Sequence, residues 1–378
     1  MKKIKRLFCG LLFAVMIVFF VGTVTGRKTY SDLEKRELKT FAAPRLSDLT
    51  NDAYFSGLTT AFSDQLAFRD RLIQGYYLFW FQHYYGDVAE GGNGQLYAAY
   101  QTVGKNYYRE LAEATALVNE TADEVNRAGA EFLFLSIPRK DAVMTADLPD
   151  TYISSVEIYQ KSVQTVKANL SDNVRLIDAY DLFAAAPEIT PYFSTDHHIT
   201  PRGGYLLYSE ILRLTQGAEA PAFDTLYGAE KVIVNGSFNR QIGQKVKSLP
   251  EELTVTPKFE TTYTRTDNGK ISHLPLFGVG NDYEAAFMGG DKALTVVETD
   301  RQEQPSILFV GASFTNVLEA FAVRDYNRMV SVDYRHNTTG ASIADYVREY
   351  DVDYVVFVPS QSTNAFSVSM IRRHLGKE

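Results

Sequence analysis

The chain has 378 residues, 45% of them hydrophobic and 13% aromatic, enough for a folded core and far from the composition of a disordered protein. It carries 46 acidic and 38 basic side chains, and six of the basic ones lie in the first 28 residues, where there is no acid. The other 350 residues therefore hold 46 acids against 32 bases, a formal charge of −14, which argues against nucleic acid as a partner and against bulk attraction to anionic lipid.

Lys2, Lys3, Lys5 and Arg6 precede an uncharged run from Leu7 to Val24, and Arg27 and Lys28 follow it. Eighteen helical residues rise about 27 Å, close to the hydrocarbon thickness of a bilayer. The basic cluster places the first residues in the cytoplasm and exports the rest. The alternative is a cleaved signal peptide, since Gly22-Thr23-Val24-Thr25-Gly26 offers small residues; the length of the run and the basic residues after it favour an uncleaved anchor. Cys9, the single cysteine, sits too early for a lipoprotein site, so the exported part has no disulfide and no cysteine metal site.

Residues 29–47 are polar with Pro44 among them and read as a stalk or wrap. Leu49, Ala53, Leu58, Phe62, Leu66, Leu72, Tyr76, Phe79 and Trp80 recur at near-helical spacing. Gly91-Gly92-Asn93-Gly94 is a turn, with a short strand expected at Gln95-Leu96-Tyr97. From Tyr107 the rhythm alternates: helix to Arg127, strand Glu131 to Ile137, helix Tyr159 to Leu170, strand Val174 to Asp178 and helix Arg202 to Thr215 with Pro201 at its start. The alternation returns near the C-terminus, as strand Ile307–Val310, helix Asn316–Ala322, strand Val330–Tyr334, helix Ser342–Tyr350 and strand Asp353–Val358. Such a pattern predicts an α/β fold, a parallel sheet flanked by helices. Between Gly217 and Gln304 it gives way to short threonine- and valine-rich runs. The chain divides accordingly into a cytoplasmic tail (1–6), a transmembrane signal anchor (7–25), a helical stalk and N-terminal wrap (29–105) and an α/β domain (106–378) with a β-rich insertion at about 217–304.

Ligands of a parallel sheet bind beyond the carboxyl ends of its strands. Ser313 in Gly311-Ala312-Ser313-Phe314 follows one predicted strand, Arg335, His336 and Asn337 the next, Arg139 and Lys140 follow Ile137, and Ser360 and Gln361 follow the last. Asp196 and His198, in Ser194-Thr195-Asp196-His197-His198-Ile199-Thr200-Pro201, would supply an orienting carboxylate and a base for that serine. On an extended segment residues two apart share a side, which pairs Asp196 with His198 and turns His197 away to pack or cap. Asp196, His197 and His198 are also of metal-ligand type, although His83, His273, His336 and His374 are isolated.

The segment Phe193–His198 followed by Thr200-Pro201-Arg202-Gly203-Gly204-Tyr205 resembles the defining motif of the bacterial DHHW family, which is related to the SGNH-hydrolase-like O-acetyltransferases of alginate modification. The resemblance extends to Glu34-Lys35-Arg36-Glu37-Leu38, Phe62-Ser63-Asp64-Gln65 with Phe68-Arg69-Asp70, Ile137-Pro138-Arg139-Lys140, Phe287-Met288-Gly289-Gly290-Asp291 and Gly311–Phe314. Ile199 stands where the family usually has tryptophan, and Ala312 where it usually has aspartate. Neither change removes a triad member. The resemblance implies an SGNH-like α/β domain with Ser313 as nucleophile, His198 as general base and Asp196 as its orienter, and no cofactor. The Ser313 backbone N–H and Asn316 would hold the oxyanion, with Arg335 and Lys140 as further electrostatic or substrate-binding candidates. The implied reaction moves an acetyl group onto or off a hydroxyl of a cell-surface glycan or exopolysaccharide. A transferase outside the membrane would need a donor brought across it, in related systems by a multi-spanning membrane acyltransferase. The competing expectation is a non-catalytic glycan-binding or assembly protein using Tyr97, Tyr100, Tyr107 and Tyr108; a metal hydrolase is the third.

Overall fold

The structure is a computed structural model and describes residues 2–43, 52–79, 84–360 and 366–376. Expectations at Leu49, Trp80 and Gln361 lie outside the described residues. Contacts divide the chain into two compact units, Met1–Tyr85 with Asn239–Val246, and Gly86–Phe238 with Lys247–Glu378.

The described residues of the N-terminal unit include the helices Lys2–Val24 (α1), Asp52–Asp64 (α2) and Arg69–Phe79 (α3). Its family-like motifs meet one another. Arg36 binds Asp64 with both guanidinium ends, at 2.6 and 3.1 Å, and the Lys39 N–H donates to Asp64 at 2.9 Å. Arg69 reaches Glu34 at 2.7 Å, and the Gln65 amide donates to the carbonyls of Lys28 and Lys39. These residues tie a loop-rich segment to the helix end at Asp64. That role is structural.

The second unit is built on an eight-stranded mixed sheet. In chain order its strands are β1 (Glu131–Ser136), β2 (Val174–Asp178), β3 (Tyr263–Asp267), β4 (Lys270–Ile271), β5 (Leu294–Thr299), β6 (Ser306–Gly311), β7 (Arg328–Val332) and β8 (Tyr354–Val358). The spatial order is β4-β3-β5-β7-β6-β8-β1-β2, parallel from β7 to β2 and antiparallel from β4 to β7. Every residue of β6 is buried, as a strand covered on both faces requires. Ile307 and Phe309 pack on one side, with helices Pro201–Gln216 (α6) and Asn316–Ala322 (α7). Leu308 and Val310 pack on the other, with Tyr107–Arg127 (α4), Val156–Asn169 (α5) and Ile343–Tyr350 (α8).

The stretch expected as an insertion at about 217–304 is divided. Tyr227–Ile233 pairs with Pro250–Pro257 as a separate antiparallel hairpin, whereas β3, β4 and β5 extend the main sheet. Thr295 and Val297, inward on β5, carry the strand's buried positions, so β5 continues the core instead of leaving it. Residues 86–105 belong to this unit as well: Leu96–Ala98 pairs with Val88–Glu90, and the Leu96 N–H donates to Ser194 O at 2.8 Å.

Candidate active site

Gly311 ends β6 at a point where no Cβ fits: one would lie 2.6 Å from Thr315 Cγ2 and 2.9 Å from Val358 O. The chain then turns through Ala312 into a single 3-10 turn, Ser313–Thr315, and on into α7. Ser313 thereby projects from the carboxyl edge of the sheet, where the α/β rule places a ligand.

Asp196 and His198 arrive on the loop from Pro191 to Thr200. Its ends are closed by the antiparallel bridge of Tyr192 to Ile199 and by the Thr200 N–H on Pro191 O at 2.8 Å. Ile199, at the position usually held by tryptophan, is fully buried in the core. Beyond it Thr200 caps α6, its Oγ1 accepting from the Gly203 N–H at 3.2 Å, with Pro201 next. Gly204 lets α6 close on α7, since a Cβ there would sit 2.7 Å from Val317 Cγ1. The loop carrying the base is thus held against the helix that starts at the serine.

The contacts made there are specific. His198 Nε2 lies 2.8 Å from Ser313 Oγ, and His198 Nδ1 lies 2.8 Å from Asp196 Oδ1. Because a carboxylate only accepts, the proton is assigned to Nδ1, and Nε2 keeps a lone pair toward the serine hydroxyl. Asp196 Oδ1 also accepts the His198 backbone N–H at 2.9 Å, and Oδ2 accepts the Ser237 N–H at 2.6 Å. Asp196 is 2% exposed. Burial alone would raise its pKa; the charge of His198, its hydrogen bond and then the charge of His197 outweigh that and hold it well below the ordinary carboxylate value.

The pairing of Asp196 with His198 agrees with the expectation, but its cause differs. The backbone bends from Ser194 to His198 and is not extended, so side alternation does not operate. An Asx turn, with the Asp196 side chain folded onto the N–H two residues on, brings the two side chains together. For the same reason His197 does not turn away. Its ring lies on that of His198, centroids 3.8 Å apart, with Nδ1 2.7 Å from Ser237 Oγ and 3.4 Å from Asp196 Oδ1.

The remaining expected residues fall in two places. Asn316 is buried beside Ser313 and donates Nδ2–H to Asp291 Oδ1 at 2.9 Å. Arg335 donates to the other oxygen of Asp291 and, at 2.6 Å, to Asp333, so its charge is spent on two carboxylates. Lys140 differs from the expectation. It is buried and donates to the carbonyls of Leu96, Phe193 and Ser194 at 2.8, 2.7 and 2.6 Å, which uses all three of its hydrogens. It braces the loop instead of facing a substrate, and burial brings its pKa down to about 7 against the attraction of Glu251 and Asp196. Glu251 completes the brace, accepting from Ser194 N–H at 2.8 Å and Oγ at 2.7 Å. Arg139 is likewise buried, on Asp141 at 2.7 Å, and Ser360 Oγ donates to Ile137 O at 3.0 Å.

Sequence reasoning missed Tyr283, Ser237, Glu251 and Asp333, and gave no role to Asp291, which stood in a family-like motif. Asp291 had a signal, since it ends a glycine turn in which Met288, Gly289 and Gly290 all take positive φ (57°, 63° and 80°). Tyr283 had none. The aromatic set proposed for polymer binding is corrected: Tyr97 and Tyr107 are buried, Tyr108 is half-covered by Lys161, and Tyr100 alone of the four is exposed. The candidate ligand atoms of Asp196, His197 and His198 do lie within 4.8 Å of one another. Both ring nitrogens of His198, however, are engaged by Asp196 and Ser313.

The profile of a family described as SGNH hydrolase-like domain, acetyltransferase AlgX, matches residues 88–291, more than half of the chain. The matched stretch includes Asp196 and His198 and stops short of Ser313. Among solved structures, a DHHW family protein from Eubacterium siraeum is similar at 18% identity and a TM-score of 0.59, over 76% of this chain and 95% of that one. Bacillus cereus PatB1 with a sulfonyl adduct is similar at 19% identity and a TM-score of 0.60, over 75% and 97%. These likenesses establish the fold. No curated protein matches the sequence. On this match over more than half of its length, the chain belongs to the family described as SGNH hydrolase-like domain, acetyltransferase AlgX.

Proposed function

We propose that the protein is a membrane-anchored, extracytoplasmic O-acetyltransferase or acetylesterase acting on a glycan hydroxyl through Ser313, His198 and Asp196. One observation carries this reading: a single imidazole joins a buried carboxylate to a serine hydroxyl, both at 2.8 Å. The helix Lys3–Val24 is long and apolar enough to cross a membrane and is the basis for the anchor. The family match supports acetyl transfer.

In the first half-reaction His198 Nε2 takes the Ser313 hydroxyl proton as Oγ bonds to the acetyl carbonyl carbon. The tetrahedral oxyanion collapses, the bond to the donor oxygen breaks, and that oxygen leaves with the proton from His198. In the second, His198 takes the proton of a sugar hydroxyl or of water, whose oxygen attacks the acetyl-enzyme; Ser313 Oγ leaves and recovers the proton. The Ser313 N–H and the second amide hydrogen of Asn316 hold the oxyanion, while Asp291 and Arg335 behind Asn316 fix its rotamer. An acetyl donor delivered by a multi-spanning membrane acyltransferase would serve the transferase form.

The test is release of acetate from a chromogenic acetyl ester by the wild type and by Ser313→Ala, with mass mapping of a sulfonyl fluoride adduct. Loss of both in a folded Ser313→Ala protein is the expected outcome. Equal turnover by the two proteins would remove the serine mechanism. The acetyl content of the surface polysaccharide in a deletion strain then separates transferase, where it falls, from esterase, where it rises.

A further inference from the structure

The last turns of α1 do not stand clear of the rest of their unit. Residues 65–68, between α2 and α3, run back along them. The Gln65 side chain bonds both the N–H and the carbonyl of Lys28. The Ala67 N–H donates to Thr23 Oγ1 at 3.1 Å, and Gly22 faces Ala67 so closely that a Cβ there would lie 2.9 Å from the alanine methyl. One residue further on, the Phe68 ring meets the Phe19 ring edge to face, centroids 5.7 Å apart.

This fixes a depth. Phe19 lies five residues before Val24, about 7.5 Å below the end of the apolar run. If α1 spans a bilayer, Phe19 is among acyl chains, and a ring touching it is at the same level. Phe68 is 59% exposed, and Leu72 and Tyr76, four and eight residues on along one face of α3, are also exposed. Phe55, Leu58 and Phe62 form a similar exposed row on α2. Phe68 also holds φ at +60°, an uncommon conformation for a bulky side chain, which the surrounding contacts must stabilise. Charged groups next to this turn in the chain are paired, with Lys28 on Asp70 at 2.5 Å and Arg69 on Glu34 at 2.7 Å.

We propose that the α2–α3 turn is a second membrane contact, in which Phe68 enters the lipid of the leaflet that α1 leaves, with Leu72 and Tyr76 lying on its surface. The inference rests on the reading of α1 as an uncleaved anchor. Its consequence is mechanical. A single spanning helix leaves the attached chain free to swivel, whereas an inserted turn beside it fixes the orientation of the N-terminal unit on the bilayer.

The experiment uses the full chain with Cys9→Ser, reconstituted in vesicles of phosphatidylcholine and phosphatidylglycerol. Single nitroxide labels are placed through Phe19→Cys, Phe68→Cys, Leu72→Cys and, on the opposite face of α2, Thr60→Cys. Relaxation by oxygen, which partitions into lipid, is compared with relaxation by a water-soluble nickel chelate. The label at 68 should show an oxygen-to-nickel ratio several-fold above that at 60 and similar to that at 19; the label at 72, which leaves the turn unaltered, should fall between those at 68 and 60. Labels at 68 and 72 as open to nickel as the one at 60, with 19 in lipid, would overturn the second contact and leave the anchor standing. A label at 19 open to nickel would overturn the anchor, and the proposal with it.

Discussion

The Tyr283 ring lies flat on the His198 imidazole, with centroids 3.9 Å apart and an interplanar angle of 0°. Tyr283 is 2% exposed and its hydroxyl accepts the Val317 N–H at 3.2 Å, so the residue that backs the imidazole also touches the helix leading away from Ser313. With the His197 ring also packed on it, the imidazole is held between two rings. Tyr283→Phe should keep the stack, lose about 1–3 kcal/mol of stability from the unpaired amide, and change turnover little. Tyr283→Ala should lose about 3–5 kcal/mol and also lower kcat at least tenfold in the folded fraction, because the imidazole is freed. Denaturant melts and an ester assay on the same samples separate the two effects.

Asp196→Asn preserves shape but presents an amide to His198 Nδ1, which selects the wrong tautomer. Turnover should fall by about four orders of magnitude, the size such a change has in serine triads. The same substitution tests the electrostatics. A carboxyl whose folded pKa lies below its unfolded value contributes stability above about pH 4, and that contribution fades as pH falls through the folded pKa. Wild type should therefore lose stability on acidification more steeply than Asp196→Asn, as measured by melts between neutral pH and strong acid.

Glu319 shows the opposite sign. It is wholly buried on α7, accepts from the Thr315 and Ser331 hydroxyls, and burial raises its pKa to about 7. The folded state then holds a proton that the unfolded state releases above about pH 4.3, so stability should decline as pH rises from there to about 7 and level off beyond. Glu319→Gln should flatten that slope, becoming more stable relative to wild type at pH 8 than at pH 5 by on the order of 2 kcal/mol. Parallel slopes for the two proteins would show that the group is ionised in the fold.

The two neighbouring histidines can be told apart. His198→Ala should cost orders of magnitude in turnover, because it removes the base that faces Ser313. His197→Ala removes a ring stacked on that base and a partner of Ser237, and should cost about 1 kcal/mol of stability with a smaller fall in kcat. Added zinc should restore neither. Equal, severe losses rescued by zinc would return the cluster to a metal site.

Asn316→Ala should lower kcat about 100-fold or more with little change in KM, the signature of a donor used only at the oxyanion. Asn316→Asp would place a carboxylate against Asp291 and should be worse. A change confined to KM would assign Asn316 to substrate binding instead.

The sequence by itself determined the local elements and which side chains could do chemistry. The apolar face of Tyr107–Arg127 and the strand Val174–Asp178 have the bounds read from spacing alone, because helical and strand periods are properties of neighbouring residues. Pro201 announced the start of α6 through its own backbone chemistry. Tertiary structure decided everything that depends on distant partners. The β-rich stretch did not reveal that Leu294–Thr299 would pair antiparallel with Arg328–Val332, since short threonine-valine runs suit either an edge of the main sheet or a separate hairpin. The meeting of His198 with Ser313, 115 residues apart, had only residue type, the sheet-edge rule and family resemblance behind it; the close approach of α6 and α7 across Gly204 is what brings it about. Lys140 looked like a strand-end charge free to meet a substrate until the carbonyls of Leu96, Phe193 and Ser194 converged on it. Tyr283 could not have been chosen, because nothing local distinguishes an aromatic that packs in a core from one that backs an imidazole. Periodicity is written in adjacent residues, whereas stacking, bracing and burial arise only when the folded chain brings remote surfaces into contact.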